Sequence, residues 1–142
     1  MRKTAFIIFS ILFLIPIIGL CQHIRLKDQY GEKLYFVDGN TVREKDMYGE
    51  KLYYFDGQTI RRKDMYGDKL FYIDGQTVRF KDQYGEKLFF FDGVTIRYKD
   101  MHGEKLYFID GQTIRRKDQY GEKLFWFESI PDKWVIVCII KI

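Results

Sequence analysis

The chain has 142 residues, room for one ordinary domain and too few for two. With 46% hydrophobic and 31% charged residues, it has the make-up of a folded protein and not of a disordered tail. Its net charge of +4 drops to +2 once Arg2 and Lys3 are set aside as part of a leader, too mild to argue for a nucleic-acid partner.

Residues 1–21 read as an export signal. Arg2 and Lys3 give a positive start, and residues 5–20 are apolar except for Ser10, Pro16 and Gly19. That run of 16 residues falls short of the roughly 20 a membrane helix needs. Gly19 and Cys21 take the small-residue places of a cleavage site before Gln22. An uncleaved anchor is the competing reading. Lipidation of Cys21 is a third, opposed by Leu20, where a lipobox has a small residue. The expected location is outside the cytoplasm: periplasm, cell surface or medium. After cleavage only Cys138 remains, so no internal disulfide can form. In the run Val135-Ile136-Val137-Cys138-Ile139-Ile140 it reads as a small buried hydrophobe.

Residues 22–131 are governed by repetition. Six units of 18 residues follow without insertion: 24–41, 42–59, 60–77, 78–95, 96–113 and 114–131. The third runs Ile60-Arg61-Arg62-Lys63-Asp64-Met65-Tyr66-Gly67-Asp68-Lys69-Leu70-Phe71-Tyr72-Ile73-Asp74-Gly75-Gln76-Thr77. Lys69 to Ile73 and its equivalents are aromatic and β-branched, as strands are. Asp74-Gly75 then predicts a two-residue hairpin turn, and Thr77 to Lys81 the return strand. Asp64-Met65-Tyr66-Gly67 predicts a type I turn closed by a left-handed glycine. Each unit has three constant cations (as at Arg61, Lys63 and Lys69) and three constant anions (as at Asp64, Asp68 and Asp74), which suits ion pairs on solvated faces.

The expected fold is all-β: twelve short antiparallel strands closing into a shallow barrel, because an open meander would leave two sticky edges. Twelve strands enclose a lumen too wide for their own side chains to fill, and the apolar segment 132–142 supplies a plug. A helix is favoured there, because a lone strand in a lumen would bury unpaired N–H and C=O groups. Ser129 is the expected N-cap, with Asp132 three residues on. A thirteenth strand is the alternative for the tail, and a β-solenoid the alternative for the repeats. Against a hexapeptide β-helix, the glycines lie eight and ten residues apart.

Six units of the Lys-Leu-Tyr-Phe-x-Asp-Gly-Gln-Thr kind with an apolar tail resemble the bacterial β-flower proteins, shallow barrels of radially repeated hairpins. These are similar in turn to the tubby C-terminal and scramblase class, whose twelve-stranded barrel encloses a hydrophobic C-terminal helix. The resemblance implies binding at a membrane lipid. No basic cluster maps onto this chain residue by residue. The Tyr-Tyr-Phe-x-Asp-Gly look is also similar to choline- and glucan-binding repeats, which would make an envelope polysaccharide the partner; those repeats lean on Trp, and here only Trp126 lies in a unit.

Two sets of residues stand out as candidate ligand contacts. Arg25, Arg43, Arg61, Arg79, Arg97 and Arg115 occupy one register and together suit an anion or phospholipid head group. Pairing with nearby Asp and Glu is the structural alternative. Tyr30, Tyr48, Tyr66, Tyr84, His102 and Tyr120 share a turn position, placed to stack on sugars or to sit at a membrane interface. Packing over the neighbouring turn is the alternative there. His23 and His102 have no partner at ligand spacing, and no nucleophile–base arrangement can be assembled, so neither a metal, a cofactor nor catalysis is expected. The function that follows is a non-enzymatic exported binding or structural module.

Overall fold

The computed structural model describes residues 21–140; the expected export signal, apart from Cys21, lies outside them. The six repeats form twelve strands: β1 (Cys21–Leu26), β2 (Lys33–Asp38), β3 (Thr41–Glu44), β4 (Lys51–Phe55), β5 (Thr59–Arg62), β6 (Lys69–Asp74), β7 (Thr77–Phe80), β8 (Lys87–Asp92), β9 (Thr95–Tyr98), β10 (Lys105–Asp110), β11 (Thr113–Arg116) and β12 (Lys123–Phe127). Each strand pairs with its neighbours in sequence. The ring then closes through Ile24↔Phe127, Arg25↔Trp126 and Leu26↔Phe125 between β1 and β12. This is a barrel and not a solenoid. The seam repeats the other junctions: the Lys27 N–H donates to the Leu124 carbonyl at 3.1 Å, as the Lys45 N–H does to Leu34 at 2.9 Å. Closure therefore leaves no edge.

Side chains alternate across the wall with the period of two that strands impose. Ile24, Val42, Ile60, Val78, Ile96 and Ile114 face inward and are fully buried. Val37, Phe55, Ile73, Phe91, Ile109 and Phe127 form a second inner layer, and Tyr35, Tyr53, Phe71, Phe89, Tyr107 and Phe125 a third. Helix α1 (Lys133–Ile140) fills the middle, with Trp134 to Ile140 all buried. Val and Ile prefer strands. Here they are helical because the helix satisfies its own backbone where no strand partner exists.

Both ends of the helix are held. Lys133 Nζ donates to the Gly75 carbonyl at 2.8 Å and lies 5.2 Å over the Phe91 ring, while Trp134 stacks on Phe55 at 5.1 Å. At the far end the Tyr107 hydroxyl donates to the Ile140 carbonyl at 3.1 Å. The cap differs from the expected one. Asp132 and not Ser129 precedes the helix, its carbonyl accepting from Val135 and Ile136. The Ser129 N–H is drawn instead to Gln22 Oε1 across the seam, at 3.2 Å.

Both turns correct the sequence expectation. In the first, Asp38 pairs with Thr41 and ends its strand, so the central residues are Gly39-Asn40 and not Asp-Gly. Gly39, Gly75, Gly93 and Gly111 have φ of 57–61° at the first central place, the demand of a II′ hairpin. The second unit departs: Gly57 has φ 107°, and Asp56 leaves the strand. Burial alone would raise the Asp56 pKa, but N–H bonds from Thr59 and Gln58 and the Arg61 guanidinium outweigh it and hold the carboxyl below its ordinary 3.8. A depressed carboxylate stabilises the fold above its ordinary pKa, and the benefit is lost as pH falls below it. Asp56→Asn is therefore expected to lose less melting temperature than the parent between neutral pH and pH below 3.8. Equal losses in the two proteins would reject this.

In the second turn the left-handed residue is the lysine before the aspartate, not the glycine. Lys27, Lys45, Lys63, Lys81, Lys99 and Lys117 have φ of 63–69°. The Asp28 N–H donates to the Leu26 carbonyl at 2.7 Å, closing a γ-turn of positive φ around Lys27, a rare and strained form. A β-bulge accompanies it, because pairing runs from Ile24↔Tyr35 to Arg25↔Lys33 and skips Leu34.

Candidate functional site

The six arginines lie on the outer wall, each directly across from an outward aromatic, as Arg43 from Phe36 and Arg61 from Tyr54. Each clamps its own second turn. Nη1 donates to the carbonyl of the glycine six residues on at 3.0–3.1 Å: Arg25 to Gly31, Arg43 to Gly49, Arg61 to Gly67, Arg79 to Gly85, Arg97 to Gly103 and Arg115 to Gly121. Nε of Arg61, Arg97 and Arg115 meets the aspartate five residues back at 2.9–3.2 Å, and in Arg43 and Arg79 it lies 3.7 and 3.6 Å away. These guanidinium groups point outward around a closed wall, each engaged by its own hairpin. The structure does not bring them together on one face.

The turn aromatics are placed differently. The Asp28 carboxylate accepts the Tyr30 N–H at 2.9 Å, which fixes the tyrosine at the apex of the loop. The same bond recurs at Tyr48, Tyr66, Tyr84, His102 and Tyr120. The five tyrosines are 86–90% exposed, so they do not pack over neighbouring turns. Met47, Met65 and Met101 precede three of the rim aromatics and are exposed as well. Two exposed lysines flank each loop, as Lys45 and Lys51 do. One rim of the barrel thus carries aromatic and thioether side chains among lysines. The opposite rim carries the Asp–Gly turns.

At the tyrosine rim the lumen opens into a cavity of about 600 Å³. Leu52, Tyr53, Leu70, Phe71, Phe80 and Leu88 line it, with Glu50, Lys51, Arg62 and Lys63 at its lip. Sequence reasoning missed this cavity. Its signal was the unit's third position, which varies most: Leu26, Glu44, Arg62, Phe80, Tyr98 and Arg116. Among the described residues no three His, Cys, Asp or Glu side chains gather as a metal site, and no helix is long and apolar enough to cross a membrane. No family model matches the chain, and no curated protein or solved structure matches it.

Proposed function

We propose that the protein is an exported, non-enzymatic module of the bacterial envelope that seats its tyrosine rim on a lipid surface. The observation carrying this reading is the set of rim tyrosines 86–90% exposed on one end of the barrel. A tyrosine ring is amphipathic and favours the level of lipid head groups. Lysines beside it are attracted to anionic lipids, each by about 1 kcal/mol near the surface. The resemblance to β-flower and tubby-like barrels supports the same reading, and the signal-like segment 1–21 supports export.

Co-sedimentation with phosphatidylglycerol vesicles tests it. The protein is expected to pellet with them, less so at high salt. Changing Tyr48, Tyr66 and Tyr84 to Ser is expected to weaken binding at least about tenfold without moving the melting temperature, since exposed rings contribute little to the fold. Failure to pellet would overturn the proposal. So would salt-indifferent binding to an insoluble polysaccharide that the same three changes remove, because that result would make the rim a glycan surface.

A further inference from the structure

The cavity at the tyrosine rim breaks the sixfold symmetry of the sequence, and one substitution accounts for its chemistry. Only the third and sixth units have arginine at the third position, Arg62 and Arg116. Both backbones are held alike: the Arg62 N–H donates to Asp68 and the Arg116 N–H to Glu122, each at 2.9 Å. Their side chains differ. Arg116 Nε meets Glu122 Oε1 at 3.0 Å. In the third unit the glutamate found in the other five is shortened to Asp68, and Arg62 makes no ion pair among the described residues. Arg62 is among the residues that line the cavity. Lys51 and Lys63 stand at the same lip, against the single anion Glu50.

A concave apolar site of about 600 Å³ is in the range that holds a small molecule. Apart from Tyr53, its floor is made of hydrocarbon and aromatic side chains without polar groups, whereas a sugar or nucleotide site needs several. Its lip has three cations to one anion, and of the three Arg62 carries the planar fork that fits a carboxylate or phosphate. We infer that this end of the barrel binds one single-chain anionic amphiphile, its acyl chain among Leu52, Leu70, Phe71, Phe80 and Leu88 and its head group on Arg62. The site takes a molecule from solution one at a time. It is distinct from rim contact with a bilayer and does not depend on that reading.

Isothermal titration of the full chain with laurate and dodecyl phosphate, each below its micellar concentration, tests the site. Dodecyltrimethylammonium serves as the control, with the same chain and opposite charge. Saturable binding of one equivalent is expected for at least one anion, and the difference between the two shows whether a carboxylate or a phosphate is preferred. The cationic control is expected to bind at least about tenfold more weakly. Arg62→Gln should lower anion affinity by about tenfold and leave the control unchanged. Asp68→Glu should do the same by drawing Arg62 into the pair seen at Arg116, and it cannot be dismissed as misfolding because five units carry that glutamate. Phe80→Ser, at a half-exposed position, should weaken both charges of head group alike.

Absence of saturable binding would overturn the inference, as would equal affinity for anion and cation or an Asp68→Glu protein that binds like the parent. The variant with Tyr48, Tyr66 and Tyr84 changed to Ser should keep laurate binding, since none of the three lines the cavity. Loss of laurate binding in it would reject a site separate from the rim. Vesicle binding without binding of either single-chain anion would sink this inference and leave the rim proposal standing.

Discussion

Replacing Ile136 by Asp is expected to unfold the barrel. Ile136 is 2% exposed at the middle of a helix buried on every side, with the fully buried Val137 and Cys138 beside it. The inner layers around it are apolar or aromatic, and the one cation of its helix, Lys133, donates instead to the Gly75 carbonyl. Burying such a charge costs several kcal/mol even after relaxation, while a domain of this size has only about 5–15 kcal/mol of stability in total. Thermal melting followed by circular dichroism should show no cooperative transition. Ile136→Val, which removes one methyl, should cost only about 0.5–1.5 kcal/mol and keep the transition. Deleting residues 134–142 should resemble the aspartate variant, since it empties the lumen and exposes the inner aromatic layers. A truncated chain that melts like the parent would mean that the helix does not hold the barrel together.

The architecture was legible because the sequence states it six times. An 18-residue period with two glycines in five of the six units and an alternating strand in each leaves little but hairpins, and edge avoidance then favours closure. The helical tail was legible from its all-round apolarity, against the strand preference of Val135, Ile136 and Val137. Local geometry was less legible, for a definable reason. Asp-Gly is the commonest hairpin pair, yet here the aspartate ends its strand to reach its arginine, as Asp110 reaches Arg115 at 2.9 Å, and glycine moves to the first central place. The γ-turn at Lys63 could not be read from composition, because lysine has no preference for positive φ.

The candidate site was half legible. Register alone put the turn aromatics on one rim, and the Asp–N–H bond at each loop explains why they stand out from it. Register also aligned the arginines. Their partners, glycine carbonyls six residues on, are backbone groups and leave no mark in the sequence. The cavity was illegible for the opposite reason. Its lining includes positions where the repeats differ, Arg62 and Phe80, and attention to the consensus hides those positions.

The glycines of the two turns make a matched test of this local reading, and Gly67→Ala is expected to be the second most damaging single change. Gly67 does not have a positive φ, so left-handed strain is not what requires it. A Cβ there would lie 1.6 Å from the Arg62 carbonyl oxygen and 2.7 Å from its carbon. Both are backbone atoms, so no side chain can swing aside and the loop itself must open. Three bonds are at stake in that movement: Gly67 N–H to the Asp64 carbonyl at 3.0 Å, Arg62 N–H to Asp68 at 2.9 Å, and Arg61 Nη1 to the Gly67 carbonyl at 3.1 Å. At roughly 1 kcal/mol for each bond, plus strain, a loss of about 3–4 kcal/mol is expected. Gly75→Ala is the contrasting case. Its φ is 61° and nothing lies within 4 Å of the added carbon, so only the left-handed penalty of about 1–2 kcal/mol applies. Urea unfolding midpoints of the two variants should fall in that order, with the slopes unchanged. If Gly75→Ala proved the worse of the two, close approach of the backbone at the bulged turn would not be what glycine is needed for there.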